Sequence, residues 1–197
     1  MEELIQVIKI LNLKEVKQIN KYIDTLDFND NTVFGRGTEK SKTRKEIRSS
    51  TGSTMNEESP ETILLHEAMN AGLVEYKKKC QKIHINYSYY PMPGAVGTRS
   101  WREPIQALDY TEGQEYKFHH DAAADPRLSE YHRKISVITY LKESEVGGGT
   151  CFPHTTFKPK PGYALMFPSS WCYPHSGEPV VKGNKRVAVT WYYVQTV

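Results

Sequence analysis

The sequence predicts a mainly β, α+β fold in which a jelly-roll or barrel is buttressed by N-terminal helices. From residue 104 onward, short runs with strand propensity are separated by turn residues, and no helical period is present. Before that point, two segments repeat apolar residues at helical spacing. Because strands and helices do not alternate, a parallel βαβ fold is disfavoured. We therefore expect both helices to pack against one sheet of the barrel.

Each predicted helix has a start signal and an apolar face. Asn12 and Glu15 form a capping pair for the first helix, and Ser59 with Pro60 begins the second. The face of the first helix comprises Leu13, Val16, Ile19, Ile23 and Leu26. The face of the second comprises Leu65, Met69, Leu73 and Tyr76. Residues 32–34 and 83–90 are predicted as strands.

Length and composition indicate one globular unit. A chain of 197 residues, 38% hydrophobic and 25% charged, is long enough to bury one sizeable core. We expect a single domain over residues 1–197. Within it, helical and strand support occupies about 1–102 and the barrel core about 103–197.

Charge and cysteine content exclude several classes of protein. The net charge is only +3, and the basic clusters at 40–48 and 77–82 are interpreted as solvated surface, so no nucleic-acid partner is expected. The three cysteines lack metal-binding spacing and predict neither a disulfide framework nor a zinc site. The acidic N-terminus and the lack of a long apolar run predict a cytoplasmic protein without signal peptide or membrane span. The oligomeric state is open between monomer and homodimer.

A candidate metal site comprises His119, Asp121 and His175. Residues two apart share one face of a strand, so His119 and Asp121 can point at the same atom while His120 points away. Two imidazoles and one carboxylate on one face of a metal are the ligand set of non-haem Fe(II) oxygenases. A His-x-Asp pair alone is also common in polar turns, so the interpretation depends on the surrounding sequence.

The segment after His175 predicts an anion site beside the metal. A Gly-Asn turn at 183–184 brings Lys185 back beside His175 and begins a strand that is apolar on both faces. The face of Lys185 also carries Val187, Val189, Trp191 and Tyr193. The opposite face carries Arg186, Ala188, Thr190 and Tyr192. An inward lysine is costly unless an anion meets it, and the distal carboxylate of 2-oxoglutarate is such an anion. A lysine that reaches solvent from an edge strand is the alternative.

Several blocks of the sequence, in order, resemble the prolyl 4-hydroxylases of the Fe(II)/2-oxoglutarate oxygenase superfamily. They are Arg48-Ser49-Ser50-Thr51-Gly52, Tyr110-Thr111-Glu112-Gly113-Gln114-Glu115-Tyr116 leading to the metal residues, Arg133 with the strand after it, Gly147-Gly148-Gly149-Thr150-Cys151-Phe152-Pro153, 160–167 and 175–191. The resemblance extends from about residue 13 to the C-terminus. It implies a double-stranded β-helix, a jelly-roll of the cupin type.

The resemblance also implies an activity and roles for further residues. It implies hydroxylation of peptidyl proline with Fe(II), 2-oxoglutarate and O2, ascorbate as reductant, and succinate and CO2 as products. Tyr110 and Thr150 would help Lys185 to bind 2-oxoglutarate. The residues expected to contact a proline-containing peptide are Tyr116, Arg133, Trp191, Arg48, Ser50 and Gly52. A loop at 87–101 is expected to act as a lid or as an ordinary surface loop.

Departures from the family pattern concern the substrate side. Phe118 stands where the family usually has proline, Gly149 where it often has glutamate, Arg186 where it often has tryptophan, and Tyr193 where histidine is frequent. None of these positions is a metal ligand. Two alternatives therefore stay open: the same chemistry on lysine, a free amino acid or another small molecule, and a metal-free β-barrel binding module.

Overall fold

The computed structural model describes residues 2–33, 42–84, 102–122 and 131–195. A short 3-10 helix, Glu2–Leu4, is followed by two α-helices, α1 (Leu13–Ile23) and α2 (Pro60–Ile83). The strands, in chain order, are β1 (Gln6–Lys9), β2 (Asn29–Asp30), β3 (Thr32–Val33), β4 (Lys42–Thr43), β5 (Thr51–Thr54), β6 (Gln106–Tyr110), β7 (Tyr116–His119), β8 (Tyr131–Lys142), β9 (Val146–Gly147), β10 (Thr150–Phe152), β11 (Thr155–Phe157), β12 (Tyr163–Pro168), β13 (His175–Gly177), β14 (Val180–Lys182) and β15 (Lys185–Gln195).

Both helices begin where the sequence predicts. The Asn12 side chain accepts hydrogen bonds from the first turn of α1, and the Glu15 carboxylate accepts one from the Asn12 backbone N–H at 2.7 Å. Ser59 caps α2, and Pro60 occupies its first turn. The predicted apolar faces are confirmed, except that Leu13, the first residue of α1, is 68% exposed.

The strands form two main antiparallel sheets. The larger sheet has the order β1-β12-β8-β15-β6-β5-β2, and the smaller has the order β11-β10-β13-β7. Strands β14 and β9 form a separate pair, as do β3 and β4. The N-terminal part therefore supplies three strands of the large sheet in addition to the supporting helices. The single-domain organisation stays a prediction.

The large sheet separates two hydrophobic cores. One core lies between this sheet and the two helices, and the other contains residues from both main sheets. Strand β15 contributes to both, because Ala188 packs on the helix side while Val187 and Val189 pack between the sheets. The predicted two-sided burial of this strand is confirmed. A shift of register between Tyr192 and Tyr193 interrupts the alternation of side chains, so the alternation does not tell which face Tyr193 lies on.

Two predicted features near residue 85 have different outcomes. The strand predicted at 83–90 is wrong at its first residue, because α2 continues through Ile83. His84 is the C-cap of this helix. Residues 85–90 lie outside the described residues, as does the predicted loop at 87–101. Phe34, the last residue of the strand predicted at 32–34, is outside them too.

The described residues bear on the expectations about cysteines and about membrane-spanning helices. Cys80, Cys151 and Cys172 are free thiols. Over the described ranges, no helix combines the length and apolar character needed to cross a membrane.

Candidate active site

The structure brings His119, Asp121 and His175 together. His175 of β13 lies directly opposite His119 of β7 in the antiparallel register. Asp121 follows two residues after β7 ends, so it is not a strand residue, contrary to the sequence interpretation. The Nε2 atoms of His119 and His175 lie 3.5 and 3.6 Å from the two Asp121 carboxylate oxygens. The three potential ligand atoms all lie within 4.8 Å of one another, which is a spacing that could hold a metal ion.

Backbone carbonyls fix the orientation of both imidazole rings. Nδ1 of His119 lies 2.8 Å from the Lys117 carbonyl oxygen, and Nδ1 of His175 lies 3.1 Å from the Tyr173 carbonyl oxygen. A carbonyl can only accept, so each Nδ1 carries a proton and Nε2 is the nitrogen of each ring that is left to bind a metal. Burial lowers the pKa of His175 and so favours its neutral form. Both rings therefore direct Nε2 toward Asp121.

Asp121 is buried and held in its ionised form. The Ser136 hydroxyl donates a hydrogen bond to Asp121 Oδ2 at 2.7 Å, and Ser169 lies 2.8 Å from Ser136. Burial alone would raise the pKa of Asp121, but the two nearby imidazoles and the Trp191 indole together hold this pKa well below its usual range. The carboxylate is thus available as an anionic ligand.

Replacing Ser136 by alanine is expected to weaken divalent-metal binding. The hydroxyl orients the Asp121 carboxylate, and loss of such an outer partner typically costs about 10- to 100-fold in metal affinity. Equilibrium dialysis of the variant against Fe(II) or Mn(II) measures this change. An affinity equal to that of the wild type would contradict the role assigned to Ser136.

Aromatic rings surround the two histidines. The Tyr116 ring stacks on the His119 ring with centroids 3.6 Å apart and planes inclined by 17°. On the other side, Phe167 meets the His175 ring edge to face at 4.7 Å, and Phe152 lies at 5.6 Å. These contacts restrict the rotation of both imidazoles. His120, which lies between His119 and Asp121 in the sequence, is exposed.

Lys185 is a buried cation close to the three candidate ligands. Its side chain is 4% exposed, and its Nζ lies 3.9 Å from the position that a Cβ on Gly177 would occupy, two residues after His175. The rings of Tyr110 and Tyr140 lie 5.0 and 5.4 Å from this Nζ. Among the described residues, no carboxylate is within ion-pair distance of it. An ammonium buried in this way is costly without a counter-ion, so this position suits an anion.

The two aromatic rings near the Lys185 ammonium belong to tyrosines, and one of their hydroxyls is hydrogen-bonded to Thr150. Tyr110 is buried and pairs with Lys185 across β6 and β15. The Thr150 hydroxyl is hydrogen-bonded to the Tyr140 hydroxyl, and burial raises the pKa of Tyr140, so this phenol stays protonated. Tyr140 was not identified from the sequence. Its inward direction depends on how β8 pairs with its neighbours, which no local motif reveals.

Arg186 faces away from Lys185, as strand alternation predicts. Its guanidinium donates to both Asp109 carboxylate oxygens at 2.6 and 2.7 Å and to Asp24 of the segment after α1 at 2.7 Å. Those pairs lie on the helix side of the large sheet. Arg186 is therefore occupied and separated from the anion site.

Arg133 and Trp191, which the sequence analysis assigns to peptide binding, form a contact of their own. The Arg133 guanidinium lies 3.8 Å from the centre of the Trp191 ring, which is a cation–π geometry. Both carboxylate oxygens of Glu103 accept hydrogen bonds from Arg133, one of them at 2.6 Å. A third hydrogen bond, 3.4 Å long, reaches the Asp121 backbone oxygen. Arg133 thus adjoins the candidate metal ligand Asp121, and Glu103, which was not identified from the sequence, holds its guanidinium.

The N-terminal block has mainly packing contacts. Arg48 lies 4.9 Å from the centre of the Tyr116 ring and so adjoins the candidate site. Ser50 is buried and accepts a hydrogen bond from the Asn31 amide at 2.9 Å. A Cβ on Gly52 would lie 2.3 Å from Asn31 Oδ1, so this glycine allows close packing of β5 against Asn31. The peptide contacts assigned to these residues stay predictions.

Comparison with known proteins finds similarity mainly in the C-terminal half of the chain. The sequence model of the 2OG-Fe(II) oxygenase superfamily matches residues 105–194. The chain is 36% identical over 107 residues to a candidate prolyl 4-hydroxylase of Acanthamoeba polyphaga mimivirus, an alignment that covers 46% of this chain and 44% of that protein. It is 30% identical over 122 residues to prolyl 4-hydroxylase 5 of Arabidopsis thaliana, covering 47% and 42% of the two chains. The chain thus spans less than half the length of these curated relatives.

Solved structures show the fold. The viral collagen prolyl hydroxylase of Paramecium Bursaria Chlorella virus-1, in complex with 2OG, superposes with a TM-score of 0.62 at 22% identity, covering 96% of each chain. A prolyl-4-hydroxylase of Pseudomonas putida gives a TM-score of 0.63 at 15% identity, covering 98% of this chain and 93% of the other. The architecture is therefore a double-stranded β-helix, as the resemblance implies. Residues 105–194, which the 2OG-Fe(II) oxygenase model matches, carry all three candidate metal ligands.

Proposed function

We propose that this protein is an Fe(II)- and 2-oxoglutarate-dependent dioxygenase that hydroxylates proline residues within peptides. The observation that carries the proposal is the juxtaposition of the His119, Asp121 and His175 cluster with the buried ammonium of Lys185. One group of residues suits a metal ion, and the other suits an anion beside it. A 2-oxo acid with a second carboxylate satisfies both.

The three candidate ligands fit Fe(II) by donor type and by protonation. Two imidazoles that direct Nε2 to the site and one ionised carboxylate are the donors that this metal takes in oxygenases. Three protein ligands leave positions for other molecules. Bound Fe(II) would supply the oxidative chemistry that couples decarboxylation of 2-oxoglutarate to hydroxylation of a C–H bond.

The protein's own contribution is to orient the reactants and exclude water. Lys185 would bind the distal carboxylate of 2-oxoglutarate, and the hydroxyls of Tyr110, Tyr140 and Thr150 would add hydrogen bonds. The apolar core between the sheets, including Val187, closes the site from within. The chemistry releases succinate and CO2, and ascorbate would serve as reductant.

Aromatic and cationic side chains beside the candidate metal ligands support the proposal of a peptide substrate. Tyr116, Trp191 and Arg133 border this region. Proline is stiff and extended, so aromatic side chains can hold it at a small cost in entropy. One solved prolyl hydroxylase, from Trichoplax adhaerens, is in complex with a hypoxia inducible factor peptide fragment, with a TM-score of 0.59 at 19% identity. Similarity to named prolyl hydroxylases supports the same substrate class here.

Coupled succinate release over a panel of substrates tests this function. Purified protein with Fe(II), 2-oxoglutarate and ascorbate is incubated with proline-rich peptides, lysine-containing peptides, free proline and free lysine. We expect stimulated succinate release only with proline-containing peptides, and a gain of one oxygen on proline by mass spectrometry. Oxidation of lysine or of free amino acids alone would replace the prolyl assignment while keeping the oxygenase. Failure to decarboxylate 2-oxoglutarate with any substrate would favour a binding module.

Replacing Arg133 by alanine is expected to weaken peptide hydroxylation by at least about tenfold while sparing the slow decarboxylation that occurs without peptide. The change removes a cation stacked on Trp191, on the side where peptide would lie. Parallel assays of succinate release with and without peptide measure the two effects. An equal loss in both assays would show that Arg133 supports the metal site and not the peptide.

The affinity for 2-oxoglutarate is expected to fall as the pH rises above about 8. Burial lowers the pKa of Lys185 to about 8, although the charges of Glu178 and Cys151 oppose this shift and Lys158 adds to it. Below this pKa the lysine is protonated and attracts the dicarboxylate, and above it the free protein must take up a proton to bind. Calorimetric titrations between pH 6.5 and 9.5, chosen to bracket that value, measure the dissociation constant. In Lys185→Arg any residual binding should lose this pH dependence, because arginine stays charged.

A further inference from the structure

Glu178 is joined to Gly149 by two hydrogen bonds. The Gly149 backbone N–H donates to Glu178 Oε2 at 3.0 Å. In return, the Glu178 backbone N–H donates to the Gly149 carbonyl oxygen at 2.9 Å. The half-buried Glu178 carboxylate therefore fastens the segment 147–149, named here the glycine turn, to the chain just after His175.

The glycine turn lies against Lys185. A Cβ on Gly148 would be 3.4 Å from Lys185 Cδ, so the backbone of this residue borders the lysine stem. The turn also leads directly into Thr150, whose hydroxyl is bonded to Tyr140 beside the ammonium. The position of the glycine turn thus determines the space around Lys185 and the position of the Thr150 hydroxyl.

This turn has little stiffness of its own. Gly147 and Gly148 have φ angles of 75° and 74°, in the left-handed region that glycine adopts readily. Glycine also has many other accessible conformations, so two such residues in sequence hold one conformation only when their surroundings fix it. The Ser144 hydroxyl, which donates to the Gly147 carbonyl, fixes one end at 2.8 Å. The Gly148 backbone N–H donates to the Pro179 carbonyl oxygen at 3.1 Å in the middle of the turn, and the Glu178 side chain fixes the other end.

Glu178 also fills the space next to the turn. A Cβ on Gly149 would lie 2.7 Å from Glu178 Oε2, which is closer than real contacts allow. The carboxylate thus occupies the volume that a side chain at position 149 would need. The bare backbone N–H of Gly149 and the long side chain of Glu178 fit each other sterically as well as by hydrogen bonding.

We propose that Glu178 is a positioning residue for the cosubstrate: its carboxylate clamps the glycine turn and thereby holds Lys185 and Thr150 in place for a dicarboxylate ligand. The proposal rests on the proposed function, since it assigns Lys185 to 2-oxoglutarate. It extends that function to a residue that touches neither the metal ligands nor the lysine directly. The clamp acts through the Oε2 hydrogen bond, which is distinct from the longer-range attraction between the Glu178 and Lys185 charges.

Three variants separate the hydrogen bond from the charge. Glu178→Gln keeps an acceptor oxygen at the same reach without the charge, Glu178→Asp keeps the charge on a side chain one methylene too short, and Glu178→Ala removes both. We expect the dissociation constant for 2-oxoglutarate to rise about tenfold in the Asp and Ala variants and to stay within about threefold of the wild type in the Gln variant. Titration calorimetry with Fe(II)-loaded protein under anaerobic conditions measures it. In turnover assays, KM for 2-oxoglutarate should rise while kcat changes little.

Glu145→Ala is the matched control. Glu145 lies near the same turn, is exposed and pairs with Lys182 at the surface, so its loss should leave 2-oxoglutarate binding unchanged. Wild-type affinity in Glu178→Asp, or equal weakening in the Gln and Asp variants, would overturn the proposal while leaving the proposed function intact. Should Glu178→Ala fail to fold, the Asp and Gln variants still decide between the outcomes. A wild-type protein that does not bind 2-oxoglutarate would overturn both proposals.

Discussion

Asp121→Ala is expected to lose Fe(II) binding and 2-oxoglutarate turnover together. The carboxylate faces Nε2 of both His119 and His175 at 3.5 and 3.6 Å, so it is the common neighbour of the two imidazoles and the anionic member of the set. Loss of an outer partner costs about 10- to 100-fold in affinity, and loss of a ligand itself should cost more than about 100-fold. His119→Ala and His175→Ala should behave alike. Equilibrium dialysis for iron and an assay of succinate release measure the two losses.

His120→Ala provides the control for these variants. This residue adjoins both His119 and Asp121 in sequence, but its side chain is exposed and does not belong to the cluster. Near-normal iron binding and turnover are expected. Full activity in any one of the three ligand variants, or a loss in His120→Ala equal to theirs, would contradict the assignment of the triad.

Lys185→Ala is expected to weaken 2-oxoglutarate binding by about 100-fold, because removing one partner of a buried charge pair typically costs about 2 to 5 kcal/mol. Iron affinity should be unchanged, since the lysine contributes no ligand atom. Calorimetry with the Fe(II)-loaded protein separates these quantities. The variant should also be no less stable than the wild type in the absence of ligand, because it removes a buried cation without an ion-pair partner among the described residues.

Arg186→Ala tests the direction of β15. The expected result is the reverse of that for Lys185→Ala: 2-oxoglutarate binding is retained, and the free energy of unfolding falls by about 2 kcal/mol, because charged hydrogen bonds to Asp109 and Asp24 are lost. Chemical denaturation measures the stability. Loss of cosubstrate binding in Arg186→Ala but not in Lys185→Ala would show that Arg186, and not Lys185, faces the cosubstrate.

Local sequence signals were sufficient for the features that depend on local geometry. Alternation along a strand separates Lys185 from Arg186, because side chains on successive residues point to opposite faces. Capping residues such as Asn12 place a helix start, because the cap and its partners lie within four residues of each other. The same signals are weaker at helix ends, and α2 accordingly extends to Ile83, where a strand was predicted.

Features that depend on strand pairing could not be predicted from spacing. His119 lies opposite His175 because β7 pairs with β13, and the family resemblance, rather than any local pattern, linked the two residues in advance. Ser136 and Tyr140 point inward from β8, and Glu178 reaches back to a glycine turn 29 residues earlier. No short motif marks these three residues. Their roles become visible only when the neighbouring strands are in place.

The most direct test of the central claim is 2-oxoglutarate binding measured with and without Fe(II) in the wild type and in Asp121→Ala. We expect the wild type to bind equimolar Fe(II), and this metal to tighten 2-oxoglutarate binding markedly. Asp121→Ala should retain the fold but bind neither the metal nor the cosubstrate tightly. Metal-independent binding of 2-oxoglutarate that is equal in both proteins would contradict the claim that the cluster of His119, Asp121 and His175 and the buried Lys185 form one active site.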